Sequence, residues 1–274
     1  MNTEQPGTRS PYTPRYEAYV GFVSPPAACD YPAQQFLEVA APGRVAAVQT
    51  QLPYDGAEYT DSLPDAGRRL DHLRESVRGL ADSKLDVIMQ VGGYWALPYG
   101  PTLEASRTIE AELTEEFGVP VVLNWSAIVD ALIAVGAHRI AMAAGYYRPS
   151  WIEASIAFFD SAGIAVEWAG DVVDLGLVID HAEKLAIEAA TNWDYPDELV
   201  HGACVGAARN APDADAVCQT GSGMRTPFVV ERVEHDTGIP LVATDLALYW
   251  AALRHVGIAA RPGTGRLLAT TRDH

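Results

Sequence analysis

Short apolar runs alternate along this chain with longer stretches in which apolar residues recur at every third or fourth position. The runs AYVGFVS (18–24), RVAAVQTQL (44–52), LDVIMQV (85–91), VPVVL (119–123), RIAMAAG (139–145), IAVEWAGDV (164–172), DAVCQT (215–220) and 239–243 predict strands. Between them, helical spacing predicts helices over 66–83, where Leu70, Leu73, Val77 and Leu80 share one face, and over 103–118, 126–137, 149–163, 180–191, 196–209, 227–237 and 246–256. Gly118 reads as a helix C-cap, and Ser126 and Asp245 read as N-terminal caps. Strand–helix alternation of this kind predicts an α/β fold with parallel sheets covered by helices.

The pattern also repeats. Asp86-Val-Ile-Met-Gln90-Val-Gly92 matches Asp215-Ala-Val-Cys-Gln219-Thr-Gly221 without a gap, and Gly118-Val-Pro-Val-Val is answered by Gly238-Ile-Pro-Leu-Val. A first repeat over about 85–147 and a second over about 214–268 predict two pseudosymmetric lobes within 18–274, preceded by a flexible N-terminal arm at 1–17. Ligands of open α/β sheets bind beyond the carboxyl ends of the strands, where Gly92 and Gly221 stand, so the expected active site is a cleft between the lobes.

Composition narrows the partners. The 274 residues carry a formal charge of −17, which argues against nucleic acid or an anionic membrane surface, since phosphate binding needs a basic patch. Three cysteines at wide spacing, Cys29, Cys204 and Cys218, form no disulfide framework, and without CxxC or HExxH no metal site is expected. The polar, Pro-rich start lacks a signal-peptide core and no later run has the length of a membrane span, so the expected location is the cytoplasm. Exposed helices leave room for a homodimer.

Four segments carry a family likeness: GFVSPPAA (21–28), DVIMQVGG (86–93), RIAMAAGYY (139–147) and DAVCQTGSGMRTPFVVERVEHDTGIPLV (215–242), the last followed by ARPGTGRLL (260–268). In order and spacing they resemble the aspartate/glutamate racemase superfamily, and within it the arylmalonate decarboxylase and maleate isomerase branch. The resemblance implies a two-lobed fold, no cofactor or metal, a planar enolate or enediolate intermediate stabilised by amides and hydroxyls, and a catalytic cysteine at one or both strand ends. It places the second cysteine at Gly221 and the first at Gly92, or at Tyr94 if a two-residue insertion lies earlier. This chain has no cysteine at any of them. Cys218, three residues back along a strand, points to the other face and reads as a core residue, as does Cys204; Cys29 follows the Pro-Pro loop.

The candidate chemistry therefore rests on other residues. The resemblance gives Tyr146 a substrate-binding role, with Tyr147 as the alternative if the register slips by one. Tyr94 stands beside the first turn as a replacement proton donor or acceptor, and Ser222 follows the vacant cysteine position of the second. Gly92, Gly93, Gly221 and Gly223 permit close backbone approach to an anion, Pro25 and Pro26 form the loop after the first strand, and Trp95 walls an apolar pocket. Asn124 and Thr244 stand at equivalent strand ends; Arg225 either attracts a carboxylate or is solvated; His235 is expected in a surface or core helix position. The leading expectation is a cofactor-independent decarboxylase or related lyase acting on a small malonate-like carboxylate. The alternatives are a cysteine-independent isomerase, a hydratase or hydrolase of the same superfamily, and a carboxylate-binding protein without activity.

Overall fold

A computed structural model describes residues 13–25, 31–40, 42–53 and 66–272; Pro26 and Cys29 lie outside the described residues. The first sheet contains β1 (Ala18–Ser24), β2 (Val45–Gln51), β3 (Val87–Gln90) and β4 (Val121–Val122) in the order β2-β1-β3-β4. The helices joined to it are α1 (Pro32–Val39), α2 (Ala66–Ala81), α3 (Gly93–Ala96), α4 (Leu103–Phe117) and α5 (Asn124–Ala134). The second sheet contains β5 (Arg139–Gly145), β6 (Ala165–Asp171), β7 (Ala216–Gln219) and β8 (Leu241–Ala243) in the order β6-β5-β7-β8. Its helices are α6 (Pro149–Ser161), α7 (His181–Thr191), α8 (Asp197–Asn210), α9 (Val230–Thr237), α10 (Thr244–His255) and α11 (Gly265–Ala269). Every strand pair is parallel, and the two sheets share one connection scheme. This is the α/β architecture that the alternation predicts. β5, whose residues precede 147, belongs to the second sheet, where it takes the place that β1 takes in the first.

Each matched position of the repeat does the same physical work in both sheets. Asp86 Oδ2 accepts the Tyr19 N–H at 2.7 Å, and Asp215 Oδ2 accepts those of His138 and Arg139 at 3.0 and 2.8 Å. Each carboxylate thus pins the start of a central strand to its neighbour. Gly118 and Gly238 close α4 and α9 in the left-handed region, at φ +66° and +77°, where only glycine is free of a Cβ penalty. The carbonyls of Pro120 and Pro240 then accept the Ile88 and Val217 N–H groups at 2.8 and 2.9 Å, starting β4 and β8 in register.

Helix boundaries depart from expectation where a predicted cap finds other work. Ser126 lies inside α5, not at its start: Oγ donates to the Leu123 carbonyl at 2.9 Å and bonds the buried Glu110 carboxylate. An N-cap must accept from the helix amides, and this hydroxyl does not. Asp245 lies one residue inside α10 and turns its carboxylate to the Thr226 amide and hydroxyl. The helix expected over 227–237 is broken into a 3₁₀ turn, Thr226–Phe228, and α9, with the Asp245 contacts holding the turn.

The two lobes meet through α5 and α10. At their first turns the Asn124 Nδ2 donates to the Thr244 carbonyl at 3.2 Å. Phe22, Phe36 and Tyr249 form a ring cluster with centroids 5.4 to 6.0 Å apart, and the Tyr249 hydroxyl reaches Gln35 Oε1 at 2.7 Å. The Arg261 N–H crosses to the Val39 carbonyl. Burying rings of this size stabilises the junction by about 2–3 kcal/mol each. Cys218 in β7 and Cys204 in α8 are wholly buried, and burial pushes both thiols above the ordinary range. No helix among the described residues is long and apolar enough to cross a membrane.

Candidate functional site

The two Gln-x-Gly turns leave the carboxyl ends of the central strands, β3 and β7, and their glutamines hold them. Gln90 Nε2 donates to the carbonyls of Val91 and Gly92 at 2.6 and 3.0 Å; Gln219 Nε2 donates to those of Thr220 and, at 3.3 Å, Gly221. One buried amide side chain thus holds two successive carbonyls of each turn. Gly92 and Gly221 adopt φ +91° and +98°, outside the range of ordinary residues. The turns close alike, with Trp95 N–H on the Gly92 carbonyl at 3.2 Å and Met224 N–H on the Gly221 carbonyl at 3.1 Å. Their other amides differ. The Gly221 N–H is taken by Thr244 Oγ1 at 3.2 Å, and the Gly223 N–H points to the Tyr146 hydroxyl at 3.5 Å. Asn124 and Thr244 therefore brace the turns and each other.

Neither Gly92 nor Gly221 has room for a side chain. A Cβ on Gly92 would lie 2.6 Å from Pro25 Cγ and 3.3 Å from Trp95 Cδ1. A Cβ on Gly221 would lie 2.8 to 2.9 Å from the Tyr146 ring and 2.9 Å from its hydroxyl oxygen. Pro25 directly follows β1 and Tyr146 directly follows β5, so the two lobes fill the two positions from equivalent places in the fold. Gly93 is similarly covered by the Trp125 indole, whose N–H donates to the Gly93 carbonyl at 2.9 Å, and Gly223 faces the Trp193 carbonyl.

The aromatic candidates converge. Tyr94 stacks on Trp151 of the second lobe with centroids 3.9 Å apart and meets Trp95 edge-on; the Arg69 guanidinium lies 3.6 Å over Trp95. Tyr146 lies nearly parallel to Tyr195 at 5.2 Å, edge-on to Trp193 and to Tyr147, and Tyr147 is edge-on to Trp151. The rings thus link the first turn to the second. Burial raises the Tyr94 phenol above its usual range, with Arg69 and Arg148 pulling it partly back, so at neutral pH it is a donor and not a base.

Buried charge fixes the segment after β5. Arg148 makes a bidentate pair with Glu188, both contacts 2.7 Å, and also donates to the Tyr146 carbonyl at 2.9 Å. Burial works against its charge, but the Glu188 carboxylate overrides that, with smaller contributions from the Tyr195 and Tyr146 phenols. Lys184, paired with Asp171, donates to the Tyr147 carbonyl at 3.0 Å. Beneath them lie two buried hydroxyls without a well-formed hydrogen bond, Tyr147 Oη and Thr220 Oγ1. Burial drives the Tyr147 phenol far up, and the Thr220 hydroxyl and the Tyr94 N–H oppose that. A third device is backbone strain: Trp193 holds φ +69°, rare for a bulky residue.

Ser222 is buried in the second turn, and its carbonyl accepts Arg225 Nη1 at 2.8 Å. Arg225 is neither solvated nor directed outward. Its side chain is buried, 4.2 Å over the Tyr31 ring and 3.4 Å from Asp194, beside an open cavity of about 420 Å³. His235 is a surface residue paired with Asp236. Sequence reasoning overlooked Trp151, Trp193, Tyr195, Glu188 and Thr220; only the aromatic spacing 193–195 hinted at them.

Asp245, which anchors Thr226 after the second turn, is pushed up to about 6, chiefly by burial. A carboxyl raised above its unfolded value binds its proton more tightly in the folded state. Its contribution is therefore fully present below the unfolded value and is lost as pH rises through 6. Between pH 7 and pH 4 the wild type should gain about 2 kcal/mol of stability relative to Asp245→Asn. Parallel urea denaturation curves at the two pH values measure this, and a constant gap would refute it.

Comparison with known proteins agrees with the fold. The family model for arylmalonate decarboxylase matches residues 20–268. The arylmalonate decarboxylase of Bordetella bronchiseptica is 28% identical over 233 residues, 79% of this chain and 90% of that protein. The maleate isomerase of Pseudomonas putida is 26% identical over 202 residues, 69% of this chain and 72% of that protein. Among solved structures, unliganded arylmalonate decarboxylase shares the fold with a TM-score of 0.74 at 22% identity, covering 92% of this chain and 99% of its own. A Nocardia farcinica maleate cis-trans isomerase variant carrying a covalent succinylcysteine intermediate does so with a TM-score of 0.72 at 20% identity, covering 92% and 98%. Since the family match runs from β1 into α11, the chain belongs to the arylmalonate decarboxylase family.

Proposed function

We propose that the protein is a decarboxylase of small malonate-like dicarboxylates that works without a catalytic thiol. Loss of CO2 leaves an enediolate, and the site must hold its two negative oxygens. The observation that carries this reading is the pair of buried hydroxyls on Tyr147 and Thr220, which lack well-formed partners close to the Tyr94 amide. Buried donors of this kind cost free energy unless an acceptor arrives, and an enediolate oxygen is such an acceptor. The Tyr94 phenol, protonated at neutral pH, adds a donor. The Trp95, Trp151 and Trp193 rings make the surroundings apolar, which strengthens every charge interaction inside.

Maleate isomerisation is the second reading, since a relative of that name is 26% identical. The related isomerase structure carries its intermediate on a cysteine. Here both described cysteines are buried, with thiols pushed up by burial, and Gly92 and Gly221 have no room for a thiol. Decarboxylation, which needs no nucleophile, fits those residues better.

The test is a panel of aryl- and alkylmalonates and maleate, with products followed by mass spectrometry. The expected result is CO2 loss from at least one malonate and no fumarate from maleate. Cys29→Ser should retain turnover. Fumarate formation abolished by that substitution would favour the isomerase, and binding without turnover would favour a carboxylate-binding protein.

A further inference from the structure

We propose that the Tyr146 phenol stands in for the missing thiol of the second lobe and delivers the proton to the substrate carbon, from that face alone. The inference rests on the decarboxylase reading and names the proton donor within it. Its basis is where the two lobes place their filling groups. The Tyr146 hydroxyl oxygen lies 2.9 Å from the point that a Gly221 Cβ would occupy, so it sits where the group borne by a side chain at 221 would begin. On the opposite side the Gly92 position is filled by the Pro25 ring, which has no proton to give. The pseudosymmetric site is thereby made chemically one-sided.

The step balances. The C–C bond of the malonate breaks to give CO2 and an enediolate. The O–H bond of Tyr146 then breaks as the C–H bond forms, leaving a carboxylate product and a Tyr146 phenolate. Solvent water returns the proton, and its hydroxide takes up CO2 as bicarbonate. A phenol is far more acidic than the carbon it protonates, so the transfer runs downhill. The phenolate is not left bare: the Gly223 N–H points at its oxygen at 3.5 Å, and the Arg148 guanidinium, held by Glu188, lies close enough to respond to its charge. The near-parallel Tyr195 ring and the edge of Trp193 fix the phenol's plane.

The experiment uses the full chain, α-methyl-α-phenylmalonate as substrate, and Tyr146→Phe, which keeps the ring that fills Gly221. The wild type in D2O should give a deuterated product of one configuration. Tyr146→Phe should lose about 10²–10⁴-fold in kcat with KM little changed, as expected for loss of a general acid. Its residual product should be racemic, because water then protonates either face. The double variant Tyr146→Ala with Gly221→Cys, in which a thiol has room, should regain part of the rate and become sensitive to iodoacetamide. Wild-type kcat and configuration in Tyr146→Phe would overturn the inference while leaving the decarboxylase reading intact. No turnover by the wild type of any malonate in the panel would overturn both.

Discussion

Replacing Glu188 with alanine should destabilise the protein by about 3–5 kcal/mol, because it strands the Arg148 charge in the interior. The pair is bidentate, and the side chains of Arg148 and Glu188 are only 3% and 9% exposed. The partners described for Arg148 besides Glu188 are weaker. The Tyr146 carbonyl is a neutral acceptor, and the Trp151 and Trp193 faces, at 4.9 and 5.8 Å, offer only weak cation–π attraction. Thermal denaturation should show a fall of about 10 °C or more. Replacing both partners together, as Arg148→Met with Glu188→Leu, should cost much less, since no charge is then left buried. A single Glu188→Ala variant that melts with the wild type would show that water reaches the pair. Any Glu188→Ala protein that folds should also turn over more slowly, because the arginine that holds the Tyr146 carbonyl has lost its own anchor.

Gly221→Ala should cost about 2–6 kcal/mol, combining backbone strain of about 1–3 kcal/mol with overpacking of similar size. The strain arises because φ is +98°, and the overpacking because the new methyl would sit 2.8 Å from the Tyr146 ring. The two parts can be separated by a double-mutant cycle. Combining Gly221→Ala with Tyr146→Ala should recover the overpacking and leave the strain, giving a coupling of about 1–3 kcal/mol by denaturant unfolding. Additive losses would mean that the Tyr146 ring does not fill the position. The same substitution on the other lobe, Gly92→Ala, meets the Pro25 ring instead and should be no better tolerated.

The repeated pattern was legible because its matched residues do the same work in both sheets. Asp86 and Asp215 bond the adjacent strand, Gln90 and Gln219 bond the next two carbonyls, and Gly118 and Gly238 end helices, so each leaves a mark in the sequence. The short helices α1, α3 and α11 were missed because they are too brief to show a period. Ser126 and Asp245 misled for a related reason: a hydroxyl or carboxylate near a helix start reads as a cap until a partner from elsewhere, Glu110 or Thr226, claims it. Tyr94, Tyr146 and Ser222 could be picked out beside the turns, but not the ring contacts that distinguish their surroundings.

The sequence alone determined the α/β class, the paired turns and the lack of cysteine at the turn positions, since hydrophobic periodicity and turn glycines are written in the order of residues. Tertiary structure alone decided what occupies the two empty positions. Pro25 and Tyr146 reach Gly92 and Gly221 only because parallel pairing of β1 with β3 and of β5 with β7 brings the ends of distant segments side by side. That lateral pairing, invisible to any local pattern, sets a proline ring against Gly92 and a phenol against Gly221.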